Sequence, residues 1–125
     1  FKNSKNKTYT SSSLEILIGK ILVLLGIEYE TQFRLGWFFY DFYLPKFNLI
    51  LEINGTYWHC DPRMYKEDYY NERSCKTAKQ IWDLDLNKKN VAEKNGYKLI
   101  YIWEKEIKEK TLQELKEYVN EIIQN

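Results

Sequence analysis

Apolar residues Leu14, Leu17, Ile18, Ile21, Leu22 and Leu25 recur three and four positions apart, which predicts a helix. Ser11-Ser12-Ser13 opens it and Gly26 is a natural C-cap. It is apolar around most of its circumference, so it should be largely buried. The period then shortens. Ile27 to Phe33 reads as a strand, Arg34-Leu35-Gly36 as a turn, Trp37 to Leu44 as a second strand closed by Pro45, and Phe47 to Asn54 as a third. Alternation within Leu49 to Asn54 puts Glu52 and Asn54 on one face and Leu51 and Ile53 on the other.

Gly55 to Arg63 reads as a loop with a turn at Asp61-Pro62. Met64 to Lys94 is mostly polar. Its weak helical period through Tyr65, Tyr69, Ala78, Ile81, Trp82 and Val91 predicts one or two helices, stopped by Asn95-Gly96. Tyr97 to Trp103 is an apolar strand. Thr111 to Gln124 is an amphipathic helix with Leu112, Leu115, Tyr118, Val119, Ile122 and Ile123 on one face. This order predicts an α/β fold: a small mixed sheet, made of an antiparallel three-strand meander plus a later strand, flanked by helices. Residues 1–10 lack an apolar period and read as a flexible arm or linker remnant. Residues 11–125 read as a single domain, and the start at Phe1 suggests a fragment of a longer protein.

Composition narrows the function less than pattern does. The formal net charge is +1, so no strong global field draws polyanions, and any contact with nucleic acid must be local. Cys60 and Cys75 are too few for a disulfide framework, and reduced thiols in a cytoplasmic protein are expected. No apolar run is long enough to span a membrane, and no signal-peptide pattern is present.

The candidate chemistry lies between Asp41 and His59. A carboxylate in an apolar central strand is costly to bury unless it is paired or binds a cation, which singles out Glu52. Asp41 and Glu52 on neighbouring strands would form a two-carboxylate site for Mg²⁺, with the Ile53 carbonyl as a further ligand. Oxygen ligands accept Mn²⁺ equally. His59, the single histidine, follows this strand directly; it is either a hydrogen-bonded structural residue or a base that takes a proton from water. Ser12-x-x-Glu15 fits a capping box. Asp83 and Asp85 fit a solvated helix face. Arg63, Lys66, Arg73, Lys76, Lys79, Lys88 and Lys89 are interleaved with Tyr65, Tyr69, Tyr70 and Trp82. That region is either a surface for phosphate and base contacts or an ordinary helix diluted by acids. No phosphate-binding Gly-rich loop, Ser-centred nucleophile elbow or four-ligand zinc spacing is present.

As a set, these residues resemble a known family. Ser-Leu-Glu15 heads an apolar helix, Asp41 lies on a strand, and Asn-Gly-x-x-Trp-His59 follows the next strand. Asp85 precedes Lys88-Lys89-Asn90, and Gly-Tyr-x-Leu-Ile-x-Ile-Trp-Glu104 comes after. Together they look like the very-short-patch-repair (Vsr) mismatch endonucleases. They look still more like the phage homing endonucleases named for an E-D-x-H-D signature, and both groups lie in the PD-(D/E)xK nuclease superfamily. The match runs from about Ser12 to Glu104.

The resemblance implies a restriction-endonuclease-like fold and Mg²⁺-dependent hydrolysis of double-stranded DNA, with catalytic residues Glu15, Asp41, His59 and Asp85. The variable signature position falls on Ile53. Asp41 would bind the metal and His59 would act as base, while Glu15 and Asp85 orient the histidine or hydrated metal. The repair enzymes also carry a structural zinc. Here its expected ligand positions are Thr56, Asp61, Arg63 and Lys105, so no structural zinc is expected. Glu52 is an acid those enzymes lack, which favours the homing-type branch. Tyr57-Trp58 could wedge into a base stack, and Arg63, Arg73, Lys76, Lys79, Lys88 and Lys89 would contact DNA. A homodimer and specificity segments outside this chain are expected, in a phage-encoded or bacterial protein of the cytoplasm. The rivals are a mismatch-directed nicking repair enzyme and a catalytically inactive DNA-binding module.

Overall fold

The computed structural model describes residues 11–125, with side chains from Ser13 onward. The expected arm over residues 1–10 and the Ser12 half of the capping box lie outside the described residues. The first helix, α1, spans Ser11–Leu24. It ends in a Schellman motif: Gly26 N–H donates to the Val23 carbonyl and Ile27 N–H to the Leu22 carbonyl, both at 2.9 Å. Gly26 has φ +70°, which explains glycine there.

The sheet order is β1-β2-β3-β6. Strands β1 (Glu30–Leu35), β2 (Phe38–Leu44) and β3 (Leu49–Asn54) form the antiparallel meander. Strand β6 (Lys98–Trp103) pairs parallel to β3 along its whole length. All six residues of β3 are buried, as expected of a central strand covered on both faces. One face carries the larger core. There Leu14, Ile18, Ile21 and Leu22 of α1 meet Leu49, Leu51, Ile53 and Ile102 of the sheet. A C-terminal helix, α4 (Leu112–Gln124), adds Leu115, Val119 and Ile123. The other face packs Tyr40, Ile50 and Leu99 under Ala92 of the long helix α2 (Ala78–Lys94).

The structure departs from the sequence pattern in four places. Only one side of α1 is buried; Ile16, Val23 and Leu24 are exposed. The first strand starts three residues later than its pattern suggests. In place of a continuous helical segment, residues 64–77 form turns and a two-stranded ribbon of β4 (Tyr70–Asn71) and β5 (Lys76–Thr77). Thr77 then caps α2 in a capping box with Gln80, whose reciprocal hydrogen bonds satisfy two end amides. Finally, β6 runs straight into a short helix, α3 (Glu104–Glu109), which the charged sequence did not announce.

Leu51 is fully buried between α1 and the sheet, whereas Leu112 is 58% exposed. Leu51→Ala should therefore cost roughly 2–5 kcal/mol, a large share of a typical domain's stability. Leu112→Ala should cost less than about 0.5 kcal/mol. Urea unfolding midpoints of the two variants test this, and equal shifts would contradict the packing described.

Candidate active site

The site begins where the sheet opens. Pairing of β2 with β3 runs from Leu44↔Leu49 to Phe42↔Leu51 and stops. At the next rung the side chains replace the ladder. Asp41 N–H donates to Glu52 Oε2, and Ile53 N–H donates to Asp41 Oδ2, both at 2.8 Å. Alternation also slips here: Phe38 and Tyr40 face α2, whereas Phe42 and Leu44 face α1. The same slip occurs across the hairpin, where Gln32 has φ +50°. The slip turns Asp41 towards Glu52 rather than letting it alternate out to solvent.

Both carboxylates are taken out of water. Asp41 is pushed up to about 6, first by burial and then, against the Ile53 amide, by the nearby Glu15 charge. Glu52 is pushed up to about 7 by burial and by Asp41, opposed by Lys88. Lys88 Nζ lies 2.6 Å from Glu52 Oε1 and 4.9 Å from the centre of the Tyr40 ring. Tyr40 in turn donates its hydroxyl to the Lys88 carbonyl at 2.7 Å. The ammonium beside Glu52 thus comes from α2.

His59 sits on the loop after β3 and is about 30% exposed. Its Nδ1–H donates to Asp85 Oδ2 at 2.8 Å, which leaves Nε2 as an acceptor. Asp85 lies on α2, and the Tyr101 hydroxyl donates to its carbonyl at 3.3 Å. Burial, with Asp85 and Glu52 beside it, pushes the Tyr101 hydroxyl up to about 12. Glu52, Asn54, Asp85, Lys88, Lys89 and Tyr101 line one small pocket, so one carboxylate of each pair, Glu52 and Asp85, borders the same space. It adjoins a cleft of about 310 Å³ bordered by Trp82, Asp85, Lys89 and Trp103. Asn54 is 2% exposed, and its Nδ2 donor has no partner. A larger groove of about 780 Å³ lies beside α1, with Glu15 at one edge and mostly apolar walls.

Among the described residues, no three His, Cys, Asp or Glu side chains converge as a metal cage. Two carboxylates side by side nevertheless suit a hard cation. Mg²⁺ is commonly held by one or two carboxylates, with water and substrate oxygens completing its shell.

The surrounding basic residues divide. Arg63 donates to Asp61 and to Glu106 at 2.7–3.0 Å, tying the His59 loop to α3 rather than presenting a free charge. The Asp61 carboxyl is lowered mainly by its Arg63 hydrogen bond, and Arg63 is raised. Of the other positions matched to the zinc ligands, Thr56 N–H donates to Glu104 and Lys105 pairs with Glu109. Lys79 pairs with exposed Asp83, Lys76 donates to the Ser74 carbonyl, and Lys89 lies 5.5 Å from the Tyr101 ring centre. Arg73 lies 5.6 Å from the ring centre of the half-exposed Trp58, which meets Tyr57 edge to face.

Lys88 entered the sequence reading only as a DNA contact. One signal could have placed both it and Asp85 in the site. Ala78, Ile81, Asp85, Lys88 and Ala92 are spaced three and four apart, so the two charged residues continue the buried stripe of α2.

A mixed four-stranded sheet that opens at a carboxylate pair, with helices on both faces, makes this an α/β fold. The chain shares its fold with the catalytic domain of the homing endonuclease I-Bth0305I, with a TM-score of 0.56 and 22% identity over 85% of this chain and 88% of that one. It is also similar in sequence to the type II nicking enzyme V.NmeAIP of Neisseria meningitidis. That likeness is 27% identity over 104 residues, 78% of this chain and 71% of the relative. No family model matches. The resemblance read from the residues is thus borne out.

The raised carboxyls make the metal-free protein pH-sensitive. The folded state keeps protons that the unfolded chain, with ordinary values near 4, has released. Their contribution is full below about pH 4 and is lost as pH rises through about 6 and 7. Melting temperature in EDTA should fall across that window, and Asp41→Asn should flatten the fall. Mg²⁺ should restore stability more at pH 8 than at pH 5. A flat profile with no Mg²⁺ response would remove this account.

Proposed function

We propose that this chain is the catalytic domain of a metal-dependent DNA endonuclease. The observation that carries the reading is that Glu52, bonded to the Asp41 amide, and Asp85, bonded to His59, line the same pocket. Asp41, Glu52 and the Ile53 carbonyl would hold Mg²⁺ or Mn²⁺. When bound, that cation supplies positive charge for the scissile phosphate and the leaving oxygen. His59 Nε2 takes a proton from water as the water oxygen bonds to phosphorus and the phosphorus–sugar oxygen bond breaks. Asp85 holds the Nδ1–H tautomer and stabilises the resulting imidazolium. Lys88 and the unpartnered Asn54 Nδ2 offer donors to phosphate oxygens. Glu15 adds negative charge beside Asp41 and raises its affinity for a cation.

Tyr57 and Trp58 form the aromatic edge of the DNA path, with Arg73, Lys76, Lys79 and Lys89 along its flank. Site choice would come from a second copy or from segments beyond this chain. The similarity to a nicking enzyme favours a variant in which the lone domain cuts one strand. No described helix is long and apolar enough to cross a membrane. The DNA substrate would be met in the cytoplasm of a bacterium or phage-infected cell.

Supercoiled plasmid, incubated with excess protein and Mg²⁺ or Mn²⁺, should become nicked or linear, and EDTA should prevent this. His59→Ala should slow cleavage about 10²–10⁴-fold, the range expected for a lost general base. Asp41→Ala should abolish it, and Asp85→Asn should slow it less than His59→Ala does. Binding without metal-dependent cleavage would favour the inactive DNA-binding module. Faster cutting of a T·G mismatch than of matched duplex would favour the repair enzyme.

A further inference from the structure

The β1–β2 hairpin outruns the sheet. Its own pairing continues to Leu35↔Phe38, while β3 leaves β2 after Phe42↔Leu51. The distal rungs therefore form a two-stranded arm beginning at the Asp41 rung. One side of the arm is anchored. Phe33, Leu35 and Phe38 pack on the cluster under α2, and the Tyr40 hydroxyl is bonded to the Lys88 carbonyl. The other side and the tip are open. Trp37, in the turn, is 91% exposed, the highest value among the exposed large apolar residues. Phe39 is half-exposed, with the Arg34 guanidinium 5.5 Å from its ring centre. Arg34 also donates to the Gly36 carbonyl at 2.8 Å, which braces the turn. Between Thr31 and Tyr40 the arm carries one charged residue, Arg34, and no acid.

An exposed tryptophan on a braced turn is costly to keep in water, and it sits at the catalytic end of the sheet. Strands β3 and β6 end there at Asn54 and Trp103, and the His59 loop leaves from there. Trp37 lies four residues beyond Asp41, about 13 Å along an extended strand. That reach corresponds to about four base pairs of duplex at roughly 3.4 Å each.

We propose that this arm is a DNA-groove contact, in which Trp37 packs against duplex about four base pairs from the scissile phosphate and Arg34 pairs with backbone phosphate. The inference rests on the endonuclease reading for the identity of the partner. A two-stranded ribbon fits the major groove, where an apolar side chain can pack against base edges and thymine methyl groups. The absence of acids on the arm suits the partner's charge. The contact is separate from Tyr57-Trp58, which belong to the loop after β3.

The test is binding of a fluorescent duplex of about three helical turns, with EDTA present so that nothing is cut. Trp37→Ala should weaken Kd roughly tenfold or more, as loss of an aromatic–base contact does. It should leave the slope of binding against salt unchanged. Arg34→Ala should reduce that slope by about one. Leu112→Ala, distant on α4, should bind as wild type does. Since Trp37 touches so little protein, its variant should melt with wild type, which separates lost contact from lost fold. Unchanged affinity in Trp37→Ala overturns the proposal. So does sedimentation showing a Trp37-dependent dimer without DNA, which would assign the arm to a second copy. A wild type that binds but never cleaves overturns only the endonuclease reading; one that does not bind overturns both.

Discussion

Where the β2–β3 ladder stops, two carboxylates take over the hydrogen bonding of the backbone. The Asp41 amide is satisfied by Glu52 and the Ile53 amide by Asp41. Without these crossed bonds, separating the strands would strand buried amides, at a cost of about 1–3 kcal/mol each. The crossed pair thus lets the sheet open at its centre while its polar groups stay satisfied. It also sets two acids side by side with limited access to water, where burial raises both and the Asp41 charge further disfavours ionisation of Glu52. The atoms proposed to hold a cation are thus also those that satisfy the backbone.

Around that opening, each remaining part arrives from a different element. The loop after β3 brings His59, and α2 brings Asp85 and Lys88 on its buried stripe. The larger core on the opposite face holds β3 rigid, with Leu51 and Ile53 packed while Glu52 and Asn54 face the pocket. The loop itself is fixed by Arg63 between Asp61 and Glu106, and by Trp82 donating to the Cys60 carbonyl at 2.7 Å. In the mechanism proposed above, this bracing would keep the His59 ring aimed without reorganisation. The opening also frees the hairpin beyond it, so one interruption of the ladder creates both the pocket and the projecting arm.

The electrostatics follow from this arrangement rather than from overall charge. A net charge of +1 gives little long-range attraction for DNA. Among the described residues, Arg63, Lys79 and Lys88 are already paired, with Asp61 and Glu106, Asp83, and Glu52 respectively. Affinity would come from short-range contacts near the site and from any further DNA-binding parts.

Local periodicity was enough to determine that α1, the meander, β6 and α4 exist and in what order, because helix and strand patterns are properties of neighbouring residues. Burial of Glu52 followed from the apolar strand around it, and the family-like order of Glu15, Asp41, His59 and Asp85 pointed to the nuclease. The ribbon at Tyr70–Thr77 escaped notice because its two-residue strands are too short to show a period. Tertiary structure alone decided that His59 meets Asp85 across 26 positions, that Lys88 reaches Glu52 across 36, and that Arg63 turns inward. It alone decided where the β2–β3 ladder opens. Those outcomes depend on which strands become neighbours and where their pairing ends, and no local run of residues carries that information.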